Sequence, residues 1–435
     1  MGFYGIVPNK TWEVNPEVLT ERERIEDIQA AAARIQRTLL MIPGPTAIAP
    51  EVLAAGARPV LSHSDPLLRN FVSESLARLR NVFDAPSSQP IIMAGSGTLA
   101  MDVGLANLVE PGDRVLILES GVFAGRFKQI AARNSAEIRV ETAPLGRGLD
   151  LDQVRRAIES FRPKVMTITH VDTSTGVRLE VEPLARMARE RDVLVLVDGV
   201  CSIGGEEFHG DAWGVDLAFT ASQKALGAPP GLAVLTVGPR ARAARENRTS
   251  EFPGYFTDIT MWLPVMEGYE SGTPGYFGTP AVTLLTMLHT ALEELAAEPM
   301  PIRVLRHAWI ASAFKAGIAA LGLESVAAPE SIANTLTVVR NPEGVGDELV
   351  DAVHVEGVSI ARAIHPELRG RSFRVGHMGV CGPAEILTTL GAIERGLYRV
   401  GHRVDFGASL SAAQQILANP PGQVRSDAAE RVMRT

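Results

Sequence analysis

A chain of 435 residues allows roughly two to four domains and a large buried core. Hydrophobic residues make up 46 % and charged residues 21 %, the usage of an ordinary folded protein, which excludes a mainly disordered chain, a coiled coil and a collagen. The net charge of −8 gives no electrostatic reason to hold nucleic acid or an anionic membrane surface. Two cysteines, Cys201 and Cys381, build neither a disulfide framework nor a zinc cluster and fit a reducing compartment. No apolar run is long enough to span a membrane. Glu13, Glu17, Glu21, Glu23, Glu26 and Asp27 follow Lys10 where a secretory signal would be apolar. The expectation is a cytoplasmic protein without a metal. Only five lysines occur, Lys10, Lys128, Lys164, Lys224 and Lys315, so a lysine in a buried setting invites a question.

Residues 1–39 read as an extension: a loop with Pro8 and Pro16, then a helix from about Glu21 to Leu39. MIPGPT (41–46) is a rigid turn, two prolines flanking a glycine. A rhythm of strand and helix follows. Short β-rich runs, most of them apolar, are expected to form strands at 90–94, 114–118, 137–141, 164–169, 193–198, 216–220 and 232–237. Helices are expected at 67–82, 98–109, 122–133, 151–160 and 182–190. Non-alternating apolar strands separated by helices predict an α/β fold, a mostly parallel seven-stranded sheet covered on both faces. A long helix from about Pro280 to Glu298 closes this large domain, 40–298. Beyond it come helix 301–321, strand 335–340, helix 345–354, strands 357–361 and 371–376, and helix 383–400. These make a smaller α+β domain, 299–419, with a terminal helix at 408–418 and a polar tail, 420–435.

Ligands of parallel sheets sit at the carboxyl ends of the strands, and four chain segments there carry chemistry. Gly95-Ser96-Gly97-Thr98 follows a strand and opens a helix, whose free amides bind phosphate. It lacks the dinucleotide fingerprint and the P-loop lysine; alone, such a turn also serves as a plain helix start. Asp198 ends the apolar run Val193–Val197; a buried carboxylate needs a cationic partner, or serves as a helix cap. Lys224 stands in Ser222-Gln223-Lys224-Ala225-Leu226-Gly227-Ala228-Pro229-Pro230-Gly231, where a desolvated lysine becomes a nucleophilic amine. Arg374, in Phe373-Arg374-Val375-Gly376-His377-Met378-Gly379, is either a fork for a substrate carboxylate or a structural ion pair. Together they describe a pyridoxal-phosphate site: a phosphate cup, a carboxylate for the ring nitrogen and an amine for the aldehyde. A carboxylate about 4 Å from a pyridinium gains about 4 kcal/mol at an effective dielectric near 20, keeping the ring nitrogen protonated.

On MIPGPT, GSGT, ANLVEPGDRVLILESGVFAGRF (106–127), THVDTSTGV (169–177), VLVDGVCSIGG around Asp198, SQKALGAPPG (222–231), GYFGTP (275–280) and FRVGHMG, the chain resembles the class V, fold-type I aminotransferases. Within these it is similar to the alanine–glyoxylate and serine–pyruvate family. The likeness runs from about Leu40 to Tyr398, and SQK-L-APPG is its most specific part. It implies that Lys224 carries the cofactor and shuttles the proton, and that Asp198 pairs with the ring nitrogen. It implies that Val200 lies against the ring, that Phe123 stacks where many relatives place tryptophan, and that Ser96, Gly97, Thr98 and Gln223 surround the phosphate. Thr173 matches a position near the ring hydroxyl. Arg374 binds the substrate carboxylate, with the backbone near Gly44 closing over it. Tyr276 and Thr279 match residues that reach the neighbouring subunit's phosphate, which implies a homodimer with shared sites.

The implied reaction moves the amino group of a small L-amino acid, alanine or serine, to a 2-oxo acid, glyoxylate or pyruvate. A GHMG like that at His377 occurs in pyridoxamine–pyruvate aminotransferase, which leaves an unusual amine donor open, pyridoxamine-like or ureidoglycine-like. A lyase or cysteine desulfurase of the same fold is a second reading. Desulfurases place a histidine before the lysine, where Gln223 stands, and a cysteine on a mobile loop. A third, a non-catalytic regulator, has no need of both Lys224 and Arg374. His63, in a turn near the site entrance, has no assigned role; His170 and Cys201 read as packing residues and Cys381 as a loop residue.

Overall fold

The computed structural model describes residues 38–421. The helix expected at 21–39 lies outside them save its last two residues, and Leu39 instead opens a two-residue strand, Leu39–Leu40, parallel to Val358–Ser359. Most of the tail also lies outside them.

Seven strands form the large sheet: β1 (Gln89–Ala94), β2 (Arg114–Glu119), β3 (Glu137–Thr142), β4 (Val165–Thr169), β5 (Leu194–Asp198), β6 (Leu217–Ala221) and β7 (Leu232–Val237). Their order is β1-β7-β6-β5-β4-β2-β3, with β7 antiparallel to both neighbours and every other pair parallel. Every residue of β4, β5 and β6 is buried, which is why these strands read as unbroken apolar runs rather than alternating ones. Phe219 of β6 meets Phe127 edge-on at 6.3 Å beneath the covering helices. Cutting Phe219 to alanine there costs about 3–5 kcal/mol.

The expected helices are α1 (Pro66–Val82), α2 (Gly97–Leu108), α3 (Val122–Arg133), α4 (Leu151–Phe161) and α5 (Val181–Arg189). Asp65 starts α1 and Asp150 starts α4, each carboxylate accepting from amides of the first turn. Helix α6 (Ile259–Ser271) was not foreseen, because Pro264 interrupts its pattern from inside. Its first turn is held by the Asp258 side chain. Helices α7 (Val282–Ala296) and α8 (Met300–Ala320) follow.

A second, antiparallel sheet, β8 (Leu336–Arg340), β9 (Ala361–Arg362) and β10 (Ser372–Gly376), has the order β8-β10-β9. It packs with α8 and α9 (Pro383–Arg399) around Phe314, Phe373, Ile386 and Leu390. Met41 joins this core, so the MIPGPT turn starts on the small-sheet side. A third cluster, with Val171, Cys201, Ala225, Leu336 and Met378, joins the two bodies. There the buried Glu206 carboxylate accepts from the Thr335 amide at 3.1 Å and Thr335 Oγ1 donates to the Cys201 carbonyl at 2.6 Å. No helix of the described residues is long and apolar enough to cross a membrane.

Candidate active site

The carboxyl ends of β1, β2, β4, β5 and β6 deliver side chains to one cavity of about 160 Å³. Its walls include Ser96, Gly97, Thr98, Phe123, Thr173, Asp198, Val200, Gln223 and Lys224, nine of the residues singled out from the sequence. Met101, Arg126, Val171 and Cys201 complete it.

Helix α2 begins on this cavity with no side chain capping its first amides. Those amides and the positive end of the helix dipole are free for an anion. Gly97 is required by close packing: a Cβ there would lie 2.8 Å from Val200 Cγ2. Helix α3 solves the same problem from a distance. Asp172 Oδ2 accepts from the amides of Phe123 (3.0 Å) and Ala124 (3.2 Å), and Ser174 Oγ accepts from Val122 (2.9 Å). Asp172 Oδ1 accepts in turn from the Ser174 amide and hydroxyl. This buried carboxylate thus fixes Phe123 at the cavity wall, a role the sequence reading missed. The available signal was negative: Gly121-Val122 starts a helix without a capping side chain of its own, so a cap had to come from elsewhere.

Asp198 is the last residue of β5 and is 4 % exposed. Its Oδ1 accepts a single bond, from the Val200 amide at 3.0 Å. Burial pushes its carboxyl up to about 7, and Asp172 adds to the rise, against opposing effects of the Val200 amide, Lys224 and Arg126. An acid left so poorly matched is prepared for a cation. Lys224 lies three residues beyond β6, in a loop turned by Gly227 at φ +71° and Gly231 at φ +131°. Its Nζ donates to the Pro43 carbonyl, and its own carbonyl accepts from Thr46 Oγ1 at 3.1 Å. The MIPGPT turn therefore covers the lysine. Gly44, at φ +104°, leaves no room for a side chain, since a Cβ would lie 2.5 Å from Lys224 Nζ.

Arg374 stands on β10, half-buried, two residues before Gly376, whose amide donates to the Met41 carbonyl at 2.8 Å. Strand β10 thus sits against the turn that covers Lys224. Arg374 Nε donates to the Arg362 carbonyl at 2.9 Å. Burial lowers the pKa of its guanidinium, with Cys201 and Asp172 opposing from the cavity side. It is not itself a wall of the cavity. His377 is fully buried, with Nε2 on Thr337 Oγ1 and Nδ1 on the Asn334 carbonyl, both at 2.8 Å. Burial drives its pKa down to about 3, so it is a neutral packing residue beside Phe314.

Tyr276 and Thr279 do not reach the Lys224 cavity of their own chain. They bond each other at 3.0 Å in an outer pocket of about 350 Å³, with the His63 ring tilted 54° to the Tyr276 ring at 5.6 Å. His170 packs between Phe208 and Trp213. Cys201 is buried but also lines the cavity, its Sγ 2.8 Å from Thr173 Oγ1. Cys381 is buried, and that burial pushes its thiol up to about 12.

This geometry coincides with a known family. Residues 57–338 match the model of the class-V aminotransferases. Alanine–glyoxylate aminotransferase 1 of Saccharomyces cerevisiae is 35 % identical over 357 residues, covering 78 % of this chain and 92 % of the yeast protein. L-Aspartate–glyoxylate aminotransferase of Paracoccus denitrificans is 31 % identical over 383 residues, covering 86 % and 95 %. The crystal structure of ureidoglycine–glyoxylate aminotransferase from Bacillus subtilis superposes with a TM-score of 0.82 at 28 % identity, covering 88 % of this chain and 98 % of that one.

The chain belongs to the class-V, fold-type I pyridoxal-phosphate aminotransferases. It is a transaminase of small amino acids and 2-oxo acids. The residues present fit its cofactor. The α2 amides are free, Asp198 accepts only one backbone amide and makes no ion pair among the described residues, and Gln223 Oε1 is buried without a partner. All three face the cavity that holds the Lys224 amine.

Proposed function

We propose that this enzyme moves the amino group of alanine or serine to glyoxylate or pyruvate in two half-reactions, with glyoxylate the favoured acceptor. The observation that carries the reading is the under-compensated Asp198 carboxylate in the same small cavity as the Lys224 amine. Glyoxylate stands in the names of all three relatives above, while the amino donor differs among them.

Pyridoxal phosphate, when bound, supplies the electron sink for the bond broken at the substrate Cα. The chain's own residues do the rest. Ser96, Gly97, Thr98 and Gln223 would hold the phosphate, and Asp198 would keep a proton on the ring nitrogen. Val200 and Phe123 would confine the ring from its faces, and Thr173 would bond near its hydroxyl. Lys224 would hold the cofactor through Nζ; once the incoming amine has freed it, the same Nζ would take the proton from the substrate Cα and give it back later in the half-reaction. Arg374 grips the substrate carboxylate as a fork, with the Gly44 backbone closing beside it. That turn also keeps water off the reacting carbon. The large domain is taken as 40–298 and the small domain as 299–419.

The active unit is proposed to be a homodimer in which Tyr276 and Thr279 complete the partner's site; both point into a pocket separate from their own Lys224. A desulfurase is disfavoured, because both cysteines are buried and Gln223 precedes the lysine. The test is a half-reaction panel. Purified holoenzyme is mixed with alanine, serine, aspartate and pyridoxamine in turn, and loss of the bound cofactor's visible absorbance is followed. Fast bleaching by alanine or serine, reversed by glyoxylate, is the expected result. Bleaching by pyridoxamine or aspartate alone would reassign the donor.

A further inference from the structure

The phosphate cup, as read so far, is short of positive charge. A phosphate monoester carries about −1.5 to −2 at neutral pH, and a helix start offers about half a positive charge. Ser96, Thr98 and Gln223 are neutral, and Lys224 is committed to attachment. One more cationic side chain lines the cavity, Arg126.

Arg126 lies one turn along α3 from Phe123, so the two share a helix face. Its guanidinium carbon stands 4.4 Å from the centroid of the Phe123 ring, a contact that fixes a cation in place. Its Nη1 donates at 3.0 Å to Thr98 Oγ1, in the first turn of α2 beside the free amides. That bond goes to a neutral hydroxyl, not to a carboxylate, so the positive charge is not spent on an internal ion pair. The remaining guanidinium donors are available.

We propose that Arg126 is a further phosphate-binding residue, supplying from α3 the cation that the α2 amide cup lacks. The inference rests on the cofactor reading above. The bond to Thr98 puts it on the phosphate side of the cavity, and the stack on Phe123 pre-orders it.

The test is a titration of cofactor-stripped protein with two ligands, pyridoxal phosphate and phosphate-free pyridoxal. Wild type, Arg126→Gln and Arg126→Lys are compared by tryptophan fluorescence. Loss of charge-assisted bonds should weaken pyridoxal phosphate binding to Arg126→Gln by about 10- to 100-fold. Pyridoxal binding should stay within about two-fold of wild type. Arg126→Lys, which keeps the charge without the fork, should fall in between. The site is partly open to solvent, so the gap between wild type and Arg126→Gln should narrow as salt rises. Inorganic phosphate should compete with the cofactor better in wild type than in Arg126→Gln. Equal cofactor affinity in wild type and Arg126→Gln would overturn the proposal. So would an equal loss for both ligands, which would make Arg126 a support for Phe123. Unchanged cofactor binding with a raised KM for a dicarboxylic donor would place the guanidinium on a substrate side chain instead. Wild-type protein that takes up no cofactor would overturn the cofactor reading itself.

Discussion

Two buried polar regions, at the carboxyl ends of the large sheet and at the start of α8, treat their charges in opposite ways. At α8, Arg303 donates Nε to the Gly204 carbonyl, Nη2 to the Ala225 carbonyl, both at 2.7 Å, and Nη1 to Glu298 at 2.9 Å. Arg306 binds both oxygens of Glu298 and the Gly379 and Cys381 carbonyls. His307 donates Nδ1 to the Arg303 carbonyl at 2.7 Å and accepts from the Gly379 amide at 3.1 Å. Each group in this cluster has partners, and the cluster ties the residue after Lys224 to the loop after β10. In the cavity, by contrast, Asp198 has one bond and Gln223 Oε1 has none, and outside its walls, on the strand against the covering turn, Arg374 bonds only a backbone carbonyl. A buried polar group without partners costs stability. The satisfied cluster is architecture; the unsatisfied one is a binding site that a ligand completes.

Mutations should separate the two regions. The largest effect is expected from Lys224→Ala, which should abolish turnover while the protein folds normally. A transamination assay with melting curves checks it, and ordinary turnover would break the contrast at once. Asp198→Asn should lower kcat by roughly three decades, from a charge pair of about 4 kcal/mol. A variant within three-fold of wild type would show that Asp198 does not serve the cofactor ring. The same substitution should act in the opposite sense on the cofactor-free protein. A carboxyl raised from 3.8 to about 7 gives stability that is complete below pH 4 and is lost as pH rises through 7. That loss amounts to no more than about 4 kcal/mol. Cofactor-free Asp198→Asn should therefore melt higher than cofactor-free wild type at pH 8, with little difference at pH 4.5.

Arg303→Met should do the reverse of Asp198→Asn. Breaking one member of a satisfied buried set costs about 3–5 kcal/mol, with or without cofactor, and denaturant midpoints measure it. Arg374→Lys should give the smallest change: donor KM rising by about 10-fold from loss of the fork, with cofactor affinity unchanged. Steady-state kinetics over a range of donor concentrations reads it. An unchanged KM would move the carboxylate site elsewhere.

Much of this was legible in the sequence because burial on two faces makes a simple pattern. All seven strands of the large sheet and the helix Val122–Arg133 stand where β-rich runs and helical spacing placed them. Gly97, Asp198, Gln223 and Lys224 sit at strand ends, where a parallel sheet puts its ligands. What stayed hidden depends on contacts between distant segments. Asp172 caps a helix some fifty residues earlier in the chain, and no local pattern marks that. Arg126 looks like any helix-face arginine until Thr98 and Phe123 are beside it. The GHMG likeness at His377 left the amino donor open without giving the residue a role; its burial on Thr337 and Phe314 keeps it out of the cavity. Helix Ile259–Ser271 was lost to Pro264, whose cost is offset by the Asp258 cap and by burial of Trp262 and Leu263.

That the cavity holds pyridoxal phosphate on Lys224 is tested most directly by covalent trapping. The purified holoenzyme is treated with sodium borohydride, which fixes the cofactor to its lysine, then digested and sequenced by mass spectrometry. With only five lysines in the chain, the assignment is unambiguous. The adduct is expected on Lys224 within Ser222–Gly227 and on no other residue. An adduct on Lys10, Lys128, Lys164 or Lys315, or a reduced protein that carries none, would contradict it.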